Sequence, residues 1–169
     1  MKTFDFSILI TFFFLVFLQV ILFNGFYFFG IINPFIYVFF FFNYRLDKNQ
    51  TQFILISFLL GFTIDLLTQG AGGHTISAIS IAYLRPQIIS LSLGRFLKET
   101  SPSLNRISIY NQFLFLMWIV LIHHLIYFFV IYLSFSSLVV VFKKTFFTGI
   151  FTLVFIWICH LFLNKRNDS

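Results

Sequence analysis

Apolar positions run almost unbroken through this chain, interrupted only by short clusters of polar, glycine or proline residues. The runs are continuous rather than alternating, which fits membrane-crossing helices and not the strands of a membrane barrel. Each needs about 20 residues to cross roughly 30 Å of hydrocarbon. The pattern predicts spans at about 6–23, 26–42, 53–67, 73–93, 112–133 and 145–163. The expected fold is therefore all-α: one polytopic helical membrane domain over 1–169, about six transmembrane helices, and no soluble domain.

The interruptions add detail. The first apolar run follows Lys2 and resembles a signal peptide, but it is too long and carries no small-residue cleavage site, since the first alanine is Ala71. It reads as a retained span. Asn24 and Gly25 turn the chain into a second span broken by Asn33 and Pro34, where a kink or re-entrant geometry requires neighbouring helices to satisfy the freed carbonyl. A connector at 43–52 carries Arg45, Asp47 and Lys48, and Gly70, Gly72 and Gly73 mark a sharp reversal after the third span. The fourth span is rich in small residues (Gly73, Ser77, Ala78, Ser80, Ala82), which place it at the centre of the bundle. The stretch 86–110 is the longest polar one, with a partly amphipathic first half; a short connector at 134–144 ends in Lys143 and Lys144.

Composition agrees: 60% of the residues are hydrophobic, 9% are charged and mean hydropathy is +0.99, leaving no material for a water-facing surface. The thirty phenylalanines insert much as Leu or Ile would and need no aromatic binding surface to explain them. A pI near 9.7 raises nucleic acid as a partner, but the cations are scattered over connectors as topology signals are, so none is expected. Lys2, Arg45, Lys48, Arg95, Lys98, Arg106, Lys165 and Arg166 fall on one side and only Lys143 and Lys144 on the other, which predicts both termini cytoplasmic. The single Cys159 rules out an internal disulfide framework.

Charge changes the picture in one place, residues 61–86. Asp65 and Arg85 are the ionisable residues that fall inside spans away from water, and a central acid costs an isolated helix about 2.5–3.5 kcal/mol. Two geometries satisfy them. They couple across an antiparallel helix pair, or Asp65 caps the glycine turn or contacts His74 while Arg85 snorkels to head groups beyond a helix ending near Pro86. In either geometry Gly61, Asp65, Gly72, Gly73, His74, Arg85 and Pro86 are the candidate helix-packing or partner-docking residues.

No catalytic or metal site is expected. His74, His123, His124 and His160 lack the i, i+4 pair that puts two imidazoles on one face, and the neighbours His123 and His124 point about 100° apart. Inward-facing hydrogen bonds to neighbouring helices are the expected role of the last two. The chain carries no HExxH, GxSxG or Walker motif, nor a second intramembrane carboxylate to work with Asp65. No enzyme activity and no cofactor are expected.

Gly61, Phe62, Asp65, Leu66 and Leu67, then a glycine-rich turn, then Gly73 and His74 opening a small-residue helix that ends in Tyr83, Leu84, Arg85 and Pro86, resemble the core of the MreD family of rod shape-determining inner-membrane proteins. The specific part covers about 26 to 35 residues; the rest agrees in size and hydropathy, and the phenylalanine bias departs from it. The resemblance implies a non-enzymatic scaffold of the cell-elongation complex in the bacterial inner membrane. Its implied partners are an MreC-like protein, the MreB cytoskeleton and a RodA-type wall synthase complex, besides the lipid bilayer. The alternative is a small-solute-binding membrane subunit of an energy-coupling transporter, which has a similar number of spans.

Overall fold

The computed structural model describes residues 6–25, 33–46, 49–94, 107–133 and 137–165. It contains six α-helices: α1 (Phe6–Phe17), α2 (Phe39–Asn43), α3 (Gln50–Thr68), α4 (Gly73–Leu93), α5 (Ile109–Tyr132) and α6 (Leu138–Lys165). A π-helical stretch, Leu18–Phe23, prolongs α1, and a 3₁₀ turn, Ile36–Val38, leads into α2. With that extension, five of the helices are long and apolar enough to cross a membrane, so the chain is an all-α polytopic membrane protein.

The starts of α3 and α5 follow from local chemistry. Asn49 caps α3 by accepting from the Thr51 N–H at 2.8 Å, and Ser108 caps α5 by accepting from Asn111 N–H at 3.3 Å. At their other ends, Gln69 and Leu133 stop α3 and α5 in the left-handed conformation.

Two expected boundaries change. The described part of the second span is not a membrane-length helix: residues 33–35 are non-helical, and α2 adds only five residues after the 3₁₀ turn. Pro34 has no N–H to give a helix and biases Asn33 away from helical backbone. The fourth span keeps its expected bounds, Gly73–Leu93, because α4 runs through Pro86 without stopping. Finally, α6 begins at Leu138, so Lys143 and Lys144 belong to the helix and not to a connector; the Lys144 ammonium lies 5.5 Å from the centre of the Tyr132 ring. Of the cations behind the topology expectation, Lys2, Lys48, Arg95, Lys98, Arg106 and Arg166 lie outside the described residues.

The small-residue helix α4 lies between α3 and α5, and half of its most apolar window is buried, the largest share among the five spans. Its close seam with α3 depends on Gly61: a β-carbon there would stand 2.6 Å from the His74 carbonyl oxygen and 2.7 Å from the Thr75 α-carbon. Those contacts are backbone and cannot yield, so α3 and α4 touch main chain to main chain. On the other flank, a β-carbon at Gly73 would meet the Tyr127 ring and Ile131 of α5 at 2.9 Å. In α6, Thr145, Thr148, Thr152, Ile156 and His160 are buried at helical spacing, whereas α1 leaves Phe6, Ile10, Phe13, Phe14 and Phe17 exposed.

Candidate functional site

Buried polar groups gather at three places: the start of α4, the stretch of α4 around Arg85, and the break before α2. At the first, Asp65 sits one turn before the end of α3, and the glycine reversal brings the start of α4 over it. Its carboxylate accepts from Thr75 N–H at 2.7 Å, from the Thr75 hydroxyl at 2.5 Å and from His74 N–H at 3.3 Å. These N–H groups belong to the first turn of α4, where no intrahelical acceptor exists and the helix dipole favours an anion. Gly72, at φ +82°, makes the reversal that a side chain would strain. The Asp65 backbone carbonyl accepts from Gly70 N–H at 2.8 Å, so both side chain and main chain of this residue hold the turn.

Arg85 does the reverse past the middle of α4. Its Nε donates to the Phe41 carbonyl at 3.0 Å and its guanidinium also bonds the Tyr44 carbonyl, at the C-terminal end of α2, where carbonyls lack helical partners and the dipole favours a cation. The guanidinium carbon lies 4.7 Å from the Phe53 ring centre and 5.7 Å from those of Tyr44 and Phe115. Arg85 is 4% exposed and Asp65 6%. Thus the two charges bond separate elements roughly 15 Å apart along α4 and do not form the proposed cross-helix pair. Of the two expected geometries, the Asp65 half of the second is observed, while Arg85 neither pairs with Asp65 nor reaches outward. Pro86, beside it, leaves the Ala82 carbonyl without its helical donor; the Gln50 side-chain amide fills the gap at 2.6 Å.

The third place is the non-helical backbone at 33–35, which lies inside protein as membrane depth demands. Gln19 in the π-helical stretch accepts from Ile36 N–H at 2.8 Å and donates to the Pro34 carbonyl at 3.4 Å, and Thr152 of α6 accepts from Phe35 N–H at 3.1 Å. A wider turn of helix at Gln19 thus serves a broken one opposite. From here a hydrogen-bonded chain reaches α4: the Tyr37 hydroxyl lies 2.9 Å from His74 Nδ1 and 2.7 Å from His123 Nε2. One hydroxyl has one proton, so at least one of the two imidazoles donates to Tyr37. His124 is fixed differently: Nδ1 donates to the Val120 carbonyl at 2.8 Å, which leaves Nε2 to accept from the Thr152 hydroxyl at 3.1 Å. His160 Nε2 donates to Gln112 Oε1 at 2.6 Å, and Gln112 in turn donates to the Ile107 carbonyl at 2.7 Å.

The structure therefore brings Gly61, Asp65, Gly72, Gly73 and His74 together and leaves Arg85 and Pro86 about three turns along α4. His123 and His124 face inward and bond other elements. Sequence reasoning missed Gln19, Tyr37, Gln50, Thr75 and Thr152. A signal was present for Gln19 and Thr152, polar residues within long apolar runs, because a break at Pro34 needs donors and acceptors from its neighbours. Among the described residues no three His, Cys, Asp or Glu side chains converge as metal ligands. No family model, curated protein or solved structure matches the chain.

Proposed function

We propose that this protein is a non-enzymatic membrane scaffold, an MreD-like subunit of the cell-elongation machinery in the bacterial inner membrane. The observation that carries the reading is how its intramembrane charges are used. Asp65 caps the beginning of α4 with His74 and Thr75 N–H groups, and Arg85 caps the end of α2 through Phe41 and Tyr44 carbonyls. Groups that would be acid and base in an enzyme here hold the shape of the bundle. What the molecule offers to others is then its apolar outer faces, such as those of α1 and α6, on which partner helices pack.

In this reading an MreC-like protein docks on the bundle and links it to the MreB cytoskeleton and a RodA-type synthase, with both termini cytoplasmic. The resemblance of residues 61–86 to the MreD core supports it, because Gly61, Asp65, Gly73 and His74 build one close α3–α4 turn. Affinity purification of the full chain from bacterial membranes tests it. An MreC-like protein should co-purify, and Asp65→Ala should lower its recovery more than Phe128→Leu does. Recovery of an ATPase module or a bound vitamin instead would make the chain a transporter subunit and overturn the scaffold reading.

A further inference from the structure

Burial along the first span rises toward one end. Of the twelve residues of α1 only Leu15 and Val16, in its last turn, are buried, and the next buried side chain is Gln19 in the π-helical stretch. Ser7, Thr11, Leu15, Leu18 and Leu22 recur at three- and four-residue spacing and so share a face. That face meets two separate cavities where close-packed neighbours would be expected. Near the start of α1, Ser7, Ile8 and Thr11 stand off from Phe40 and Asn43 of α2. Farther along, Phe14, Leu15 and Leu18 stand off from Ile156 and Cys159 of α6 across an apolar groove whose wall also holds Ile36 and Phe39. Phe14 and Phe162 at its rim are exposed, so the groove opens on the lipid-facing surface. The far end of the span is held. Gln19 bonds the Ile36 N–H and the Pro34 carbonyl, and the Phe23 ring meets Phe155 of α6 edge to face with centres 5.4 Å apart. Between the loose end and the held one, α-helix gives way to π-helix at Leu18, a wider turn of the kind at which helices bend.

We propose that Phe6–Phe17 is a hinged arm, pivoting at the π-helical stretch and rocking toward α6, so that it opens and closes the groove and with it the approach from the membrane to Ile36 and Phe39 of the broken segment. Packing places the pivot: buried side chains lie beside it and thin out with distance from it, as a hinge requires. Energetics keep the two positions close. Lipid tails are as apolar as the groove wall, so closing it exchanges contacts with lipid for contacts between helices at little net gain. Polar bonds would fix one position, but the Thr11 hydroxyl bonds the Ser7 carbonyl inside the arm itself and ties it to nothing else. Reach sets the amplitude. Ile10 lies nine residues, roughly 13 Å, from Gln19, so a bend of about 20° carries it roughly 5 Å.

The test is double electron–electron resonance on the full chain in nanodiscs, with the one native cysteine removed by Cys159→Ser and nitroxides placed only at exposed positions. The arm pair joins Val154→Cys on α6 to Ile10→Cys; the control pair joins Val154→Cys to Ile21→Cys, beyond the pivot. The arm pair should give a distance distribution roughly 5 Å broader than the control pair. Gln19→Leu, which frees the pivot, should broaden the control pair as well. Two equally narrow distributions overturn the proposal, because the arm is then fixed. Two equally broad ones in the chain with Gln19 intact also overturn it, because the span then moves as a whole without a hinge. A control pair left narrow by Gln19→Leu removes Gln19 as the pivot and overturns the assignment of the bend to it. Both pairs are read first with Gln19 in place, so a Gln19→Leu chain that fails to fold leaves the hinge decided by them.

Discussion

The two charged sites along α4 solve one problem in opposite ways. At its beginning, an acid nine residues back in the chain meets orphan N–H groups; about three turns on, an arginine meets orphan carbonyls more than forty residues back. Both charges are almost fully buried and each faces the helix terminus whose dipole it complements. The difference is reach. The acid end is built by a local turn, Gly70 to Gly73, whereas the arginine end clamps a short helix that has no long span of its own. Local contacts of this kind organise one helix pair, and distant ones tie the broken segment into the bundle.

Breaking the distant clamp therefore has the larger effect. Arg85→Ala removes the donor to two carbonyls and empties the cage of Phe53, Tyr44 and Phe115, for an expected loss of about 3–5 kcal/mol. Arg85→Lys keeps the charge without the fork and should recover about half of that. Reversible unfolding in mixed micelles measures both. A loss for Arg85→Ala below that of Asp65→Ala would show that the distant clamp does not dominate.

Asp65→Ala comes next. It leaves His74 and Thr75 N–H groups and one hydroxyl without their acceptor, at a cost of about 2 kcal/mol. Asp65→Asn keeps one acceptor oxygen and should lie between the two. Proteolysis at the 69–73 turn should rise in Asp65→Ala and stay unchanged in Arg85→Ala, since only the first loosens that turn.

The contrast in reach also explains what the sequence made legible. Six helical segments, the glycine reversal and the central place of α4 follow from hydropathy and small-residue spacing, which are local signals. Asp65 with its turn lies within the same window of sequence, so its capping role was one of two geometries in view. Arg85 was not, because nothing near it in sequence names the carbonyls of Phe41 and Tyr44. Pro86 matters for a related reason: the geometry with Arg85 at the head groups took the proline as a helix end, but Gln50, more than thirty residues earlier, supplies the donor that lets α4 run on to Leu93 as hydropathy predicts. Tyr37 stood in an aromatic-rich run where its hydroxyl was the only mark of its bonds to His74 and His123.

Gln50 gives a smaller and more specific effect. Gln50→Leu leaves the Ala82 carbonyl without its side-chain donor and should cost about 1 kcal/mol. Pro86→Ala restores a backbone N–H at that turn. In the Pro86→Ala background, therefore, Gln50→Leu should cost markedly less than in wild type. Equal costs in the two backgrounds would mean that Gln50 matters for something other than the proline gap.

The smallest expected quantity is the most discriminating between the two accounts of the charges. Had Asp65 and Arg85 been a pair, removing both would cost less than the sum of the single losses, and exchanging them would restore the contact. With separate partners roughly 15 Å apart along α4, Asp65→Asn and Arg85→Gln should combine additively to within about 0.5 kcal/mol, and the exchanged double variant should be worse than either single exchange. The exchange places a cation at the N–H end of α4 and an anion among carbonyls, so each group meets the wrong pole of a helix. A coupling energy above about 1 kcal/mol, or recovery of folding in the exchanged chain, would return the two charges to a single site and remove the distinction between the two places on α4.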